Sequence, residues 1–270
     1  SEAAVKYKEK NHDQYDLLMT TFYAGSEYDT VSKMANVFDA EEDEYLYSIS
    51  YRTNAPGMTA AYEIYKDVQD GDPASGTLLE TGETTHALSG YYNIDLKGEY
   101  FLKKGEKYSV VMTMSRPSAD GERTVYSDVV PFATNIDVGG GHTSVINTVM
   151  NPGESYFSTG GAWTDMTELR EALIDKAYQQ SLAYTRSQKQ LIDMNPDGRD
   201  GFKVDNYPIK ALLVPADKHG AETTVGDVNS DGRLTIDDAT EMQKYLAQMV
   251  AFSDAQQAAA DTDGSGTVTI

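Results

Sequence analysis

The run EYLYSISYR, Glu44–Arg52, decides the fold class of most of this chain. Tyr45, Tyr47, Ile49 and Tyr51 fall on one parity, and Leu46, Ser48, Ser50 and Arg52 on the other. Successive side chains of a strand point to opposite faces, so a period of two marks a strand packed on one face. The same period recurs outward from this run. KYSVVMTMS, Lys107–Ser115, sets Tyr108, Val110, Met112 and Met114 on one side. Between the two, Tyr92, Ile94 and Leu96 alternate with Asn93 and Asp95. Turn-forming clusters separate the runs: NAPG at Asn54–Gly57, DGDPASG at Asp70–Gly76, KKGE at Lys103–Glu106 and SADGE at Ser118–Glu122. Short alternating runs punctuated in this way, over residues 11–164, predict an antiparallel β-sandwich or jelly roll.

Composition narrows what such a sandwich can do. The chain has 270 residues, with 22 Lys+Arg against 43 Asp+Glu, a net charge of −21. That charge repels nucleic acid and anionic membrane surfaces, so neither is an expected partner. Cysteine is absent. Disulfides, zinc-thiolate sites and thiol nucleophiles are therefore excluded from this stretch. No apolar run approaches the roughly 18 residues of a membrane-spanning helix. Ser1–Asn11 is polar and charged, unlike a signal peptide, so an exported form would carry its signal outside this sequence. Tyrosine is abundant at 19 residues, against 7 Phe and 1 Trp. Tyrosine suits half-buried strands, and an exposed row of rings would also suit sugar.

A helical zone follows. Asp165 and Glu168 have the spacing of a helix N-cap and its third residue. Met166, Leu169, Leu173, Ala177, Ser181, Tyr184, Gln188 and Leu191 then recur every three to four residues. The pattern predicts one long or two consecutive helices over 165–194, an insertion that ends before Pro196. FKVDNYPIKALLV, Phe202–Val214, reads as a further strand, and Pro208 within it points to an edge or a bulge.

After a short polar connection, His219–Thr224, the pattern becomes loop–helix–helix–loop. Residues 222–270 hold 9 acidic and 2 basic residues, a denser acidic excess than the remainder of the chain. Asp227–Asp238 reads DVNSDGRLTIDD. Hard divalent cations need several oxygen ligands on a short, sharply turning loop. EF-hand-type loops supply them at positions 1, 3, 5, 7 and 12, with glycine at 6. Here these are Asp227, Asn229, Asp231, the carbonyl of Arg233, and Asp238, with Gly232 at the turn. Thr235 at position 9 would act through water, and Leu234 supplies the apolar anchor. The motif repeats 34 residues on as DTDGSGTVTI, Asp261–Ile270. Asp261, Asp263, Ser265 and the carbonyl of Thr267 take the ligand positions, and Val268 takes the anchor. The matched pairs Gly232/Gly266, Thr235/Thr269 and Ile236/Ile270 make this a duplication rather than a chance turn. The expected metal is Ca²⁺, with the first site complete and the second lacking its position 12. A helix starting near Asp238 would place Ala239, Met242, Leu246 and Met249 in a stripe beside Tyr245. So small a core predicts that calcium supplies much of this unit's folding energy.

Two other motifs are weaker. DMNPDGRDGF, Asp193–Phe202, begins as a calcium loop. It then places Asp200 at position 8 and Val204 at position 12, and reads as a helix-ending turn. The triple glycine Gly139–Gly141 lacks the strand, lysine and helix of a phosphate loop. The histidines, His12, His86, His142 and His219, show no paired spacing, and no nucleophile-elbow or zinc-protease motif occurs. No catalytic residue is assigned.

The segment GDVNSDGRLTIDDATEMQKYLAQ…AAADTDGSGTVTI, residues 225–270, resembles a type I dockerin, with its second repeat incomplete. Dockerins are the calcium-dependent modules by which secreted bacterial enzymes plug into cohesin domains of cellulosome scaffolds. The resemblance puts the cohesin contacts on Ile236 and Asp237, on Gln243 and Lys244 of the following helix, and on Ile270. Clostridial dockerins carry small hydroxyl residues at the first pair and two basic residues at the second, so the chain is closer to dockerins of ruminal and gut anaerobes. The earlier zone, residues 1–220, resembles the lectin-like β-sandwich that follows the catalytic domain of secreted bacterial papain-like cysteine peptidases. ANVFDAEEDEYLYSISYRT, YEIYKDVQDGDPASGTLLE, GYYNIDL, FLKKGEKYSVVMTM, NPGESYFSTGGAWTDM and the closing YPIKAL carry it. No catalytic residue transfers with this resemblance.

Together the expectations are a mainly β sandwich with a helical insertion, then a small all-α calcium-binding dockerin. The expected role is non-catalytic attachment, through a cohesin, of a secreted and extracellular protein, a peptidase, to a cellulosome or bacterial cell surface. The sandwich would stiffen the dockerin as an X module does. Alternatively it binds glycan, with Trp163 or some of Tyr45, Tyr47, Tyr51, Tyr91 and Tyr92 as the stacking platform.

Overall fold

The computed structural model describes residues 11–16, 22–24, 27–183, 195–216, 219, 225–229, 234–262 and 264–268. The chain divides into a unit over Asn11–Leu213 and a second that takes in Val214–Ile270. The first is mostly antiparallel sheet. Its larger sheet is organised on Lys107–Pro117, which pairs with Ser32–Asp39 along one edge and Met58–Lys66 along the other. Ser155–Thr159 and Ala162–Asp165 extend the first side, and Thr77–His86 the second. A four-stranded sheet runs in the order Asn11–Asp13, Lys210–Pro215, Glu44–Thr53, Gly90–Leu102. One buried cluster takes Tyr108, Val110, Met112 and Met114 from the larger sheet and Leu46, Ile49, Tyr51, Ala211 and Leu213 from the smaller. Two inner faces meeting in one core make a β-sandwich.

The parity expected for Glu44–Arg52 holds for only half of the run. Ile49 and Tyr51 enter the core, but so does Leu46, while Tyr45 lies outside it. The register explains this. Leu46 faces Tyr100, and Ser48 faces Asp95, so the partner strand carries three extra residues at this point. Such a bulge reverses the parity on either side of it. Glu80, a buried side chain, fills the bulge. Its carboxylate accepts the amides of Lys97 (2.9 Å) and Gly98 (3.4 Å) and the hydroxyls of Tyr100 (2.9 Å) and Tyr62 (2.6 Å). Beyond the bulge the expected alternation of Tyr92, Ile94 and Leu96 is observed, each packing on the core.

The central strands are covered on both faces, a departure from a one-sided sheet. Behind Lys107–Pro117, Val111 packs with Ala35, Val37, Val68 and Tyr156, and Trp163 leans on this cluster. The turn after Met58–Lys66 folds over that face. Ser109 donates its hydroxyl to the carbonyl of Pro73 at 2.5 Å, and Val68 donates its amide to the carbonyl of Lys107. At its rim Lys107 pairs with Asp70 at 2.5 Å, and the Gly71 amide donates to the Tyr156 hydroxyl at 3.2 Å.

The helix Met166–Ala183 begins where the cap pattern places it, with Asp165 Oδ1 accepting the Thr167 amide at 2.8 Å. Met166, Leu173 and Ala177 join the main core, Leu169 packs on it, and Ser181 is buried. Tyr184, Gln188 and Leu191 lie outside the described residues. Phe202–Val214 is two strands, not one. Phe202–Val204 joins a three-stranded sheet, and Lys210–Pro215 joins the four-stranded one. Between them the chain crosses the buried interior. Asn36 fastens it there, donating from Nδ2 to the carbonyls of Tyr207 and Ile209, both at 3.0 Å. Pro208 therefore sits in a crossing segment, where it costs no ladder hydrogen bond.

The second unit has short helices at Ile236–Leu246 and Asp254–Ala260. Its core is Val228, Phe252 and Ala260, with Met242, Tyr245 and Val268 packed against them. Tyr245 stacks on Phe252, ring centres 4.3 Å apart. The expected stripe stops early. The helix ends at Leu246, Gln248 takes φ 59°, and Met249 is 74% exposed. Leu234, expected as an apolar anchor, is 63% exposed, whereas Val268 anchors as expected. Among the described residues no helix is long and apolar enough to cross a membrane.

Candidate metal centre

The first loop is organised by Asp238, at its twelfth position. Oδ1 accepts the amides of Val228 (3.0 Å) and Asn229 (3.3 Å), and Oδ2 accepts the amide of Thr235 (2.8 Å). Thr235 caps the helix and completes a capping box with Asp238. The helix therefore starts at Ile236, two residues ahead of the expected Asp238. One carboxylate thus joins the loop's first residues to its last. These amides, that of Thr235 foremost, hold the Asp238 carboxyl below the usual range for aspartate. Asp227 is buried at 3% exposure beside Val228, and Asn229 follows on the same turn. Asp231 and Arg233 lie outside the described residues.

The second loop repeats the arrangement. Asp261 accepts the Ser265 amide through Oδ1 (2.9 Å) and the Gly266 amide through Oδ2 (2.7 Å). Gly264 and Gly266 take φ 68° and 81°, which a side chain would oppose. Ser265 Oγ donates to the carbonyl of Thr267 at 3.1 Å. Asp263 and Ile270 lie outside the described residues. Among the described residues no three His, Asp or Glu side chains converge on one point. The donors that are described, Asp227, Asn229, Asp238, Asp261, Ser265 and Thr267, are all oxygen donors on short turns. That set fits a hard cation such as Ca²⁺ and no softer metal.

The residues expected to meet a partner sit at the surface. Ile236 is 77% exposed, Asp237 and Gln243 are exposed, and Lys244 is half-buried and paired with Glu241 at 2.6 Å. Past the helix, Tyr245, Leu246, Gln248, Met249, Val250 and Ala251 line an open groove of about 540 Å³. Sequence reading missed the groove by extending the helical stripe through Met249. It also missed the double role of Asp238, although Thr235-x-x-Asp238 spells a capping box.

The proposed stacking rings scatter. Tyr51 is fully buried and Tyr47 is 5% exposed, so neither offers a platform. Trp163 packs on the smaller core cluster. Tyr92 stacks on His86 at 3.6 Å and turns toward the core. Tyr91 is exposed, and Tyr45 packs with the exposed Phe101 at 5.3 Å. The decoy near residue 195 is a turn. Asn135 Nδ2 donates to Asp197 at 2.8 Å, and Arg199 pairs with Glu171 and Asp175.

An antiparallel sandwich followed by duplicated calcium-type loops defines a two-module class of protein. The chain belongs to the lectin-like domain family, whose model matches residues 14–179, more than half of its length. Residues 225–270 match the dockerin type I domain. Neither matched domain is catalytic. Among curated proteins none matches the chain. Among solved structures it is similar to the clostridial cysteine protease Cwp84 after propeptide cleavage, with 22% identity and a TM-score of 0.46. That likeness covers 77% of this chain and 40% of the other. The cysteine protease and lectin-like domains of Cwp84 from Clostridium difficile give 24% identity and a TM-score of 0.45, over 77% and 36%. The chain thus spans well under half the length of either.

Proposed function

We propose that residues 225–270 bind calcium and dock a cohesin, anchoring a secreted protein in a cellulosome or on a cell surface. The observation that carries this reading is the Asp238 carboxylate, which ties both ends of the first loop around the buried Asp227. A cation held between them makes the loop rigid and fixes the start of the helix. Ile236, Asp237, Gln243 and Lys244 are then presented in one orientation. Asp231, Arg233 and Asp263 complete the proposed ligand set, and Ile270 the proposed contact set. The sandwich serves as the accessory module of a peptidase, its catalytic domain being separate from these two.

Calorimetry against a panel of cohesins, with calcium and with chelator, tests this. Binding in calcium that vanishes in chelator and in Asp227→Ala supports it. Equal binding in chelator overturns it. A second reading, glycan binding by the sandwich, is favoured by the exposed Tyr91 on the outer face of the four-stranded sheet.

A further inference from the structure

The outer face of the four-stranded sheet gathers positive charge where the chain as a whole has little. The protein carries 22 Lys+Arg against 43 Asp+Glu. Yet Arg52 and Lys210 both stand over one ring, that of Tyr91, at 5.2 and 5.8 Å from its centre. The three residues come from three adjacent strands, Lys210–Pro215, Glu44–Thr53 and Gly90–Leu102. Arg52 and Tyr91 are direct cross-strand partners, so their side chains rise from the same face. Ile49/Ile94 and Tyr51/Tyr92, the pairs of opposite parity, point into the core. Tyr91 itself is 47% exposed.

We propose that Tyr91, Arg52 and Lys210 form a binding site for an acidic sugar, a uronate residue of a polysaccharide. The part of the Tyr91 ring left exposed beside the two cations offers apolar surface to the C–H edge of a pyranose. Guanidinium forks match a carboxylate in plane, and an ammonium adds a point charge beside it. Held against the ring, the two cations are positioned before a ligand arrives. The surrounding negative charge repels any polyanion that does not reach this spot, which makes the site selective for a sparse charge on a mostly neutral glycan. Lys210 also faces the buried Asp16, 3.9 Å away, which orients its ammonium without occupying all three of its donors.

This inference rests on the glycan reading of the sandwich and gives it a substrate class. Its test uses the full chain, titrated by calorimetry with xylotetraose and with the same tetramer bearing one glucuronic acid branch. The branched sugar is expected to bind at least tenfold more tightly, and that advantage is expected to fall severalfold in 0.5 M salt. Tyr91→Ala is expected to abolish binding, and Lys210→Gln to reduce the two sugars to equal affinity. Tyr91 is a surface position, so its variant folds; if Lys210→Gln does not fold, Lys210→Arg is expected to keep the preference. Equal binding of both sugars by the unaltered chain overturns the acidic class while sparing the glycan reading. Binding of neither sugar, or of other neutral glycans, overturns both. Preference for the branched sugar that survives Tyr91→Ala places the site elsewhere and overturns this assignment.

Discussion

The two units solve the problem of folding in opposite ways. The sandwich buries a continuous core drawn from both sheets, from Met34 and Phe38 through Tyr108 to Leu213. The C-terminal unit buries little beyond Val228, Phe252 and Ala260. A core of that size contributes only a few kcal/mol against the entropy of ordering its chain, roughly 1.5 kcal/mol per residue. Its loop carboxylates, Asp238 and Asp261, are held by backbone amides. In the sandwich, buried Asp16 and Asp128 face the lysines Lys210 and Lys176 instead. On this difference the sandwich is expected to be stable on its own and the C-terminal unit to depend on calcium.

Removing calcium is the strongest way to test that difference. With chelator, the C-terminal unit is expected to lose its helices and the Tyr245–Phe252 stack, while the sandwich stays folded. Saturating calcium at a thousandfold excess over its dissociation constant supplies about 4 kcal/mol, more than so small a core can replace. Trp163, the sole tryptophan, reports only the sandwich, so its fluorescence melt should not move. A chelator-induced shift of that melt would contradict independent stability. Ile49→Ala is the converse experiment. Ile49 is fully buried, and its truncation should cost the sandwich about 4 kcal/mol in urea unfolding and leave calcium affinity unchanged. Glu80→Ala should cost about 2–3 kcal/mol, because two tyrosine hydroxyls and two amides lose their acceptor. A loss below 1 kcal/mol would mean that the bulge holds itself.

The pH response should differ in sign between the units. Glu44 is 1% exposed, its Oε1 has no hydrogen-bond partner among the described residues, and burial pushes its carboxyl up to about 7. Asp16, also raised chiefly by burial, reaches about 6. A carboxyl raised on folding stabilises below its ordinary value near 4.5, and that contribution is lost as pH climbs through about 7. The sandwich should therefore be about 2 kcal/mol less stable at pH 8 than at pH 5 on account of Glu44, and Glu44→Gln should flatten the profile. Asp238 is lowered instead, so its contribution to the C-terminal unit is present at neutral pH and lost on acidification through the folded value. Parallel pH profiles for the two units would defeat this part of the comparison. The smallest effect is expected from Met249→Ser, within about 0.5 kcal/mol, since Met249 lies past the helix end and in solvent.

What the sequence conveyed follows a physical divide. Period-two runs were readable wherever pairing was regular, as at Lys107–Ser115 and Tyr92–Leu96. They misled at Leu46, because three residues bulging from a strand some fifty positions away reverse the parity there. Local alternation contains no information about that partner. The crossing at 205–209 was hidden for the same reason, since Asn36 holds it from across the fold. The cap and turns of the C-terminal loops were legible because Thr235 and Asp238, or Gly264 and Gly266, act within a few residues of chain; Leu234, exposed, was misread as an anchor. Met249 failed because helix termination at Gln248 depends on a backbone conformation, not on apolar spacing. The Tyr91 cluster combines three distant strands, and no local motif announces it.

Asn11–Asp13 pairs with Lys210–Pro215, so Asn11 stands opposite Leu213 across two hundred positions of chain. The sheet that holds Glu44–Thr53 therefore cannot close until its last strand is available. Folding of the sandwich must be slow and late, governed by one long-range closure, as in other sheets rich in distant contacts. The loops of the C-terminal unit close over a few residues and need no such long-range closure. The unit that comes later in this sequence is thus the one equipped to fold faster.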